Sequence, residues 1–206
     1  MSKKIAEEKQ KLREKIWREL ERSGLATFPL PCRGRIPNFI GAEAAAEKLR
    51  QLDEWKRAKV VFVNPDSPQR KVRENALKDG KILLMASPRL QRGFILIEPE
   101  KVKGREYAAS TIKGALKLGK EMQDFPKPDL IVEGSVAVDL QGHRLGKGHG
   151  YGDLEIEILK RRFGEIPTAT TVHDMQVVEK VPFEAKDEKV SIIVTPTRII
   201  RTTVQT

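Results

Sequence analysis

The sequence predicts an α/β fold of three layers, in which a mainly parallel central sheet carries helices on both faces. Three observations point there. Residues 59–86 read as strand, helix, strand with short connections, the pattern of a right-handed parallel unit. Further apolar runs alternate with segments of helical spacing along the rest of the chain. A glycine-rich run then follows one strand and precedes a helix, and open parallel sheets bind ligands beyond the carboxyl ends of their strands.

Residues 3–22 repeat Ile5, Leu12, Ile16 and Leu20 at helical spacing among Lys, Glu and Arg, which predicts an amphipathic helix. Residues 23–42, SGLATFPLPCRGRIPNFIGA, bring three prolines and three glycines that break helix and strand alike. They predict an ordered loop anchored by Phe28, Ile36, Phe39 and Ile40. AEAAAEKLRQLDEWKRA (42–58) reads as a second helix, and KVVFV (59–63) as a short β-branched strand of the kind buried in a parallel sheet. SPQRKVRENALKDGK (67–81) carries helix signals: Ser67 as N-cap, Pro68 at the first helical position and Gly80 as the stop. KILLMA (81–86) follows as a strand. GFILIEP (93–99), PDLIVEGSVAVD (128–139), IPTATTVHDMQVV (166–178) and VSIIVTPTRIIRTTV (190–204) are further strand-like runs. Helical spacing fills STIKGALKLGKEM (110–122) and DLEIEILKRRFG (153–164) between them.

A chain of 206 residues fits one domain over 1–206, and 39% hydrophobic with 33% charged residues is a folded, not a disordered, composition. The formal charge of +10 makes anions the natural partners, nucleotide phosphates or nucleic acid among them. The basic runs KRAK, QRKVR and KRRF suit either. Aromatics make up only 5% and no RNP-type or KH-type motif occurs, so nucleic acid ranks behind a small-molecule substrate. The single cysteine, Cys32, excludes an internal disulfide framework and a Cys-rich zinc site. With a charged N-terminal stretch and no run of membrane-spanning length, the expected location is the cytoplasm, with no membrane partner.

The run GHRLGKGHGYGDLEIEIL (142–159) is the chemical centre of the sequence. It is no Walker loop, since Gly146-Lys147 is followed by Gly148, and no dinucleotide fingerprint, since glycines stand at 146, 148, 150 and 152. Two readings stay open. Free backbone amides with Arg144 and Lys147 suit phosphate, with Asp153 at a helix start available to magnesium. Alternatively the run is a flexible turn whose Asp153 caps the next helix. Lys9 and Arg13 read equally as solvated helix charges, and Asp187 within EAKDEK as a turn residue. His143, His149 and His173 show no metal-ligand spacing; His149 is placed to touch phosphate, and Cys32 reads as a structural thiol.

GHRLGKGHGYGD resembles the Gly-x-Arg-Leu-Gly-x-Gly-x-Gly-Tyr-Tyr-Asp motif of the 5-formyltetrahydrofolate cyclo-ligase (5,10-methenyltetrahydrofolate synthetase) family. KQKLR in the first helix resembles that family's Lys-x-x-Leu-Arg, and VPFEAKDEKVSIIVTPTRII its closing segment, so the likeness spans nearly the whole chain. It implies a fold like the NagB/RpiA/CoA-transferase group. It also implies a reaction in which ATP phosphorylates the formyl oxygen of 5-formyltetrahydrofolate, the neighbouring nitrogen closes the ring, and phosphate leaves as 5,10-methenyltetrahydrofolate forms. The implied cofactors are ATP and Mg2+, and the implied partner is a reduced folate or a related formylated heterocycle. By the same likeness Lys9, Arg13, Arg144, Gly146, Lys147, Gly148, His149, Gly150 and Tyr151 bind nucleotide, Arg144 and Tyr151 act in catalysis, and Asp153 and Asp187 flank magnesium. Two departures stand out. NPDSPQRKVR replaces the glutamate-containing segment that helps recognise the pterin, and Gly152 replaces the motif's second tyrosine. IPNF, VNPDSPQ and ASPRL look more like the divergent branch of methenyltetrahydrofolate synthetase domain-containing proteins. That likeness leaves three readings: the cyclo-ligase, an enzyme with the same nucleotide site and another substrate, or a nucleotide- or RNA-binding protein.

Overall fold

The computed structural model describes residues 3–203; Val204, the end of the strand expected over 190–204, lies outside the described residues. The chain opens with α1 (Lys3–Arg22), whose Ile16, Trp17 and Leu20 are buried. In the loop that follows, Ile36 and Phe39 are buried as expected, but Phe28 and Ile40 are exposed. Successive side chains of an extended segment point to opposite sides, so Phe39 and Ile40 cannot both face inward. Cys32 takes up the remaining anchoring, with Trp17 Nε1 donating to Arg35 O at 2.9 Å.

The helix expected over 42–58 is two, α2 (Ala42–Leu49) and α3 (Asp53–Arg57). Leu52 takes an extended backbone between them and is buried, which redirects the chain so that Trp55 also reaches the core. The predicted parallel unit is present as β1 (Val60–Val63), a 3-10 turn at Ser67–Gln69, α4 (Arg70–Lys78) and β2 (Ile82–Ala86). Asp66, not Ser67, occupies the cap position, and its side chain makes no capping bond. At the other end the stop is as expected. Lys81 N donates to Ala76 O at 2.9 Å and Gly80 N to Leu77 O at 3.1 Å, the paired closure of a Schellman turn.

β3 (Phe94–Ile97) leads through α5 (Glu106–Ser110) to α6 (Ile112–Leu118), which is shorter than expected because residues 120–122 form β4 (Lys120–Met122) against β3. Three long apolar runs each divide. Residues 128–139 give β5 (Leu130–Glu133) and β6 (Ala137–Asp139), and β7 (Arg144–Leu145) precedes α7 (Tyr151–Phe163). Residues 166–178 give β8 (Thr168–Thr171) and β9 (Val177–Val178). The last run folds back as β10 (Ile192–Val194) and β11 (Ile199–Arg201), closed by Thr195 N donating to Arg198 O at 2.9 Å.

The large sheet has the order β11-β10-β8-β5-β1-β2-β3-β4. The pairs from β10 to β2 are parallel, and the edge pairs β11–β10, β2–β3 and β3–β4 are antiparallel. Alternate side chains face opposite layers. Val61, Val63, Leu83, Met85 and Val132 join Leu49, Trp55 and Ala76 on one face. Phe62, Leu84 and Ile131 join Ile156 and Leu159 of α7 on the other. Burying each such side chain contributes roughly 1.5–3 kcal/mol. A small sheet, β7-β6-β9, packs with α1 through Val136, Ala137 and Leu145. This is the layered, mainly parallel α/β architecture that the sequence predicts.

Candidate functional site

β1 and β5 are adjacent parallel strands, and a cavity of about 640 Å3 opens beyond their carboxyl ends. Every residue that the family likeness assigns to the site lines it: Lys9 and Arg13 from α1, Arg144 from β7, Gly146, Lys147, Gly148, His149 and Gly150 from the loop, Tyr151 and Asp153 from α7, and Asp187 from the segment before β10.

Two glycines shape the loop. Gly148 (φ 106°) and Gly150 (φ 75°) hold left-handed backbone, and Gly150 caps α7 without a side chain. The first amides of α7 have no intrahelical acceptor and point their positive end at the cavity. Because α7 starts at Tyr151, Asp153 lies inside the first turn and does not cap the helix. It accepts from Arg144 Nη2 at 2.6 Å instead. Arg144 is 4% exposed, and its Nη1 donates to Gly134 O at 2.8 Å. Burial by itself would lower the Arg144 pKa, but Asp153 and Glu133 outweigh it and hold the guanidinium above its ordinary value.

Neither Lys9 nor Arg13 is a freely solvated charge. Lys9 Nζ meets Asp187 Oδ2 at 2.5 Å, and Arg13 Nε donates to Gly146 O at 2.7 Å, which ties α1 to the loop. Burial lowers the Arg13 pKa against the pull of Asp153 and Asp187. Asp187 also accepts from Glu184 N at 2.8 Å, so it is a turn residue and an ion partner at once. Lys147 Nζ reaches Asp66 Oδ1 at 2.7 Å across the cavity. Asp66 thus brings the NPDSPQ segment into the site. Fully buried Arg73 fixes that segment, donating to Asn64 O at 2.6 Å, Asp66 O at 2.9 Å and Ser110 O at 2.7 Å. On the rim, Arg89 of ASPRL has a left-handed backbone (φ 57°) unusual for a non-glycine residue.

The sequence reading missed Glu133 and Glu155, which form the floor of the cavity at 1% and 4% exposure. Burial pushes the Glu133 carboxyl well above the ordinary range, and Glu155 pushes it further. Burial likewise pushes Glu155 up to about 7. A glutamate closing the apolar run LIVE at a carboxyl strand end was the available signal. The floor also accounts for Gly152: a Cβ there would fall 2.9 Å from Arg144 Nη2 and 3.2 Å from Glu133 Oε2.

Among the described residues no cluster of three His, Cys, Asp or Glu side chains could hold a metal ion. Asp153 and Asp187 share the cavity, each held by a cation. Magnesium commonly takes one or two carboxylates and completes its shell with phosphate oxygens and water, so this donor set fits an ion that arrives with phosphate. His143 and His173 are structural. His143 Nδ1 lies 3.0 Å from Asp139 Oδ2 with its ring stacked on Phe183, and His173 caps the turn Asp174–Gln176. Cys32 is buried, and burial pushes its thiol up to about 12.

Among curated proteins the chain is 39% identical over 209 residues to the methenyltetrahydrofolate synthase domain-containing protein of Bos taurus, covering 94% of this chain and 54% of that one. It is 38% identical to the Homo sapiens protein of the same name, covering 94% and 53%. The chain thus spans about half the length of these relatives. A probable 5-formyltetrahydrofolate cyclo-ligase of Schizosaccharomyces pombe is 25% identical over 172 residues, covering 75% of this chain and 83% of that one. The 5,10-methenyltetrahydrofolate synthetase of Aquifex aeolicus shares the fold, with a TM-score of 0.61 at 22% identity over 96% of this chain and 94% of that one. That of Mycoplasma pneumoniae gives 0.54 at 14% identity over 90% and 97%. The sequence model of the 5-formyltetrahydrofolate cyclo-ligase family matches residues 5–196, and the chain therefore belongs to that family.

Proposed function

We propose that the chain is an ATP- and magnesium-dependent 5-formyltetrahydrofolate cyclo-ligase of the cytoplasm. It would work as one domain over residues 1–206, converting 5-formyltetrahydrofolate to 5,10-methenyltetrahydrofolate with release of ADP and phosphate. The observation that carries this reading is the convergence of Lys9, Arg13, the 146–150 loop, Asp153 and Asp187 on one cavity at the carboxyl end of the sheet. Family membership supports the same reaction.

Phosphoryl transfer depends mainly on positioning and on neutralising negative charge, and the chain supplies groups for both. In this reading the loop amides and the start of α7 donate to phosphate oxygens, and Lys147 and Arg13 supply positive charge. Arg144 holds Asp153 in place from beneath. Asp153 and Asp187 would hold magnesium, which neutralises phosphate charge when bound. Tyr151 opens α7 directly after the loop and lines the cavity, where it would separate nucleotide from folate.

The NPDSPQ segment, which stands where the family's pterin-recognising glutamate segment would be and lines the cavity through Asp66, favours a second reading, an enzyme with the same nucleotide site and a different formylated heterocycle. The test mixes the protein with ATP, magnesium and 5-formyltetrahydrofolate and follows methenyltetrahydrofolate absorbance and ADP together. Product that requires ATP and is lost in Asp153→Asn is the expected result. ATP binding without methenyl product would move the function to the second reading, and no ATP binding would end both.

A further inference from the structure

This inference rests on the proposed function and specifies its substrate end. Four buried oxygens at the carboxyl ends of β1 and β5 have no N–H or hydroxyl donor among the described residues: Asn64 Oδ1, Gln69 Oε1, Glu133 Oε1 and Glu155 Oε2; the two carboxyls also bond to each other by sharing a proton. They are neighbours. A Cβ at Gly134 would fall 2.8 Å from Gln69 Oε1 and 3.0 Å from Asn64 Nδ2, and Glu133 is the next residue of the chain. Glu133 and Glu155 line the cavity itself.

The cations nearby are committed elsewhere except for Arg144 Nε, which has no acceptor among the described residues. Arg144 gives Nη1 to Gly134 O and Nη2 to Asp153, and Lys147 reaches Asp66. Buried acceptors are nearly always satisfied in folded proteins, so a cluster of unsatisfied ones facing a cavity is the complement of a ligand rich in donors. A metal ion fits less well, because the Arg144 guanidinium lies against the same place.

We propose that Glu133 and Glu155 are the specificity-determining residues of the cavity floor and bind a planar ligand edge with two adjacent N–H donors, as in the 2-amino-4-oxopyrimidine ring of a pterin. With one proton shared between the two carboxyls, the other carboxyl is the carboxylate, and the exocyclic amine and the adjacent ring N–H form a fork that matches its two oxygens. The second hydrogen of the amine is left for the other glutamate. These residues come from β5 and α7, whereas the glutamate-containing segment that this chain lacks would follow β1. Acidic recognition has therefore moved to different elements of the same cavity. Exchanging the exocyclic amine for a carbonyl would set an acceptor against acceptors, a mismatch that such sites reject strongly.

The test titrates the full chain into pterin and, separately, into lumazine, its 2-oxo counterpart, following ring fluorescence. Wild type is expected to bind pterin about tenfold or more tighter than lumazine. Glu133→Gln and Glu155→Gln each present an amide donor to the ligand's donors. Each should lose about tenfold or more in pterin affinity while lumazine stays within about twofold. Thermal unfolding checks that the variants fold, and either folded variant suffices. Equal binding of the two rings by wild type, failure to bind either at millimolar concentration, or full pterin affinity in a folded variant would overturn the proposal. The cyclo-ligase reading stands or falls separately. Turnover without pterin preference removes only this inference, and pterin preference without turnover removes only the proposed reaction.

Discussion

At one end of the cavity the protein presents donors: the amides of the 146–150 loop and α7, Lys147 and Arg13. At the other it presents acceptors, the carboxyls of Glu133 and Glu155, with Asp66 nearby. Arg144 joins the two ends, one nitrogen on Gly134 beside the floor and the other on Asp153 beside the loop. The donor end is local, drawn mostly from one run of sequence with Arg13 added from α1. The acceptor end is assembled from three elements that meet only when the sheet forms. It is also where the chain departs from its family's usual motif, at Gly152 and in NPDSPQ. On the proposed reading, the lesson is that a loop for phosphate can keep its glycine pattern while the opposite wall of the same cavity is rebuilt.

Breaking the joint between the ends should have the largest effect. Arg144→Met leaves Asp153 without its cation and the buried Gly134 O without its donor. It should cost roughly 3–5 kcal/mol in urea unfolding, the sum of one buried acceptor left unsatisfied and one charge-assisted hydrogen bond lost. Crowding the boundary comes next. Gly152→Tyr, which restores the family's usual residue, drives a side chain against Arg144 and Glu133 and should cost about 1–3 kcal/mol. Stability equal to wild type in that variant would mean that the floor does not explain Gly152.

The floor has its own pH signature. Burial raises Glu155 from 4.5 to about 7, so between those values the folded protein holds a proton that the unfolded chain has released. The pair's contribution to stability therefore falls as pH rises through that window, by roughly 3 kcal/mol for a shift of that size, and Glu133, also raised, extends the fall above it. Chemical unfolding across the range measures the slope, and Glu155→Gln should flatten it. The smallest effect lies away from both ends. Cys32, its thiol pushed up to about 12 by burial, should resist alkylation at pH 8 in the folded protein and react on unfolding.

The same contrast governs what could be read from the sequence. Helical spacing, the 59–86 unit and the glycine run are short-range patterns, and they located the architecture, α1, α4 and the whole donor end. Where one residue had to serve tertiary packing, the pattern misled: Leu52 splits a helix, and 120–122 pairs with β3 instead of extending α6. Asp153 was seen but misplaced, because Gly150 starts α7 two residues earlier than the charge pattern suggests. Glu133 and Glu155 were passed over because their meaning depends on parallel pairing of β1 with β5 and on α7 crossing that sheet end. Neither relation is encoded in local periodicity.

The most direct test of the division between the two ends is calorimetric titration of magnesium-ATP into wild type, Lys147→Ala and Glu133→Gln. The account predicts that Lys147→Ala loses about tenfold or more in nucleotide affinity, the cost of one charge-assisted phosphate contact. Glu133→Gln should stay within about twofold of wild type, since its carboxyl faces the other ligand. Equal losses in the two variants, or a loss confined to Glu133→Gln, would contradict the division.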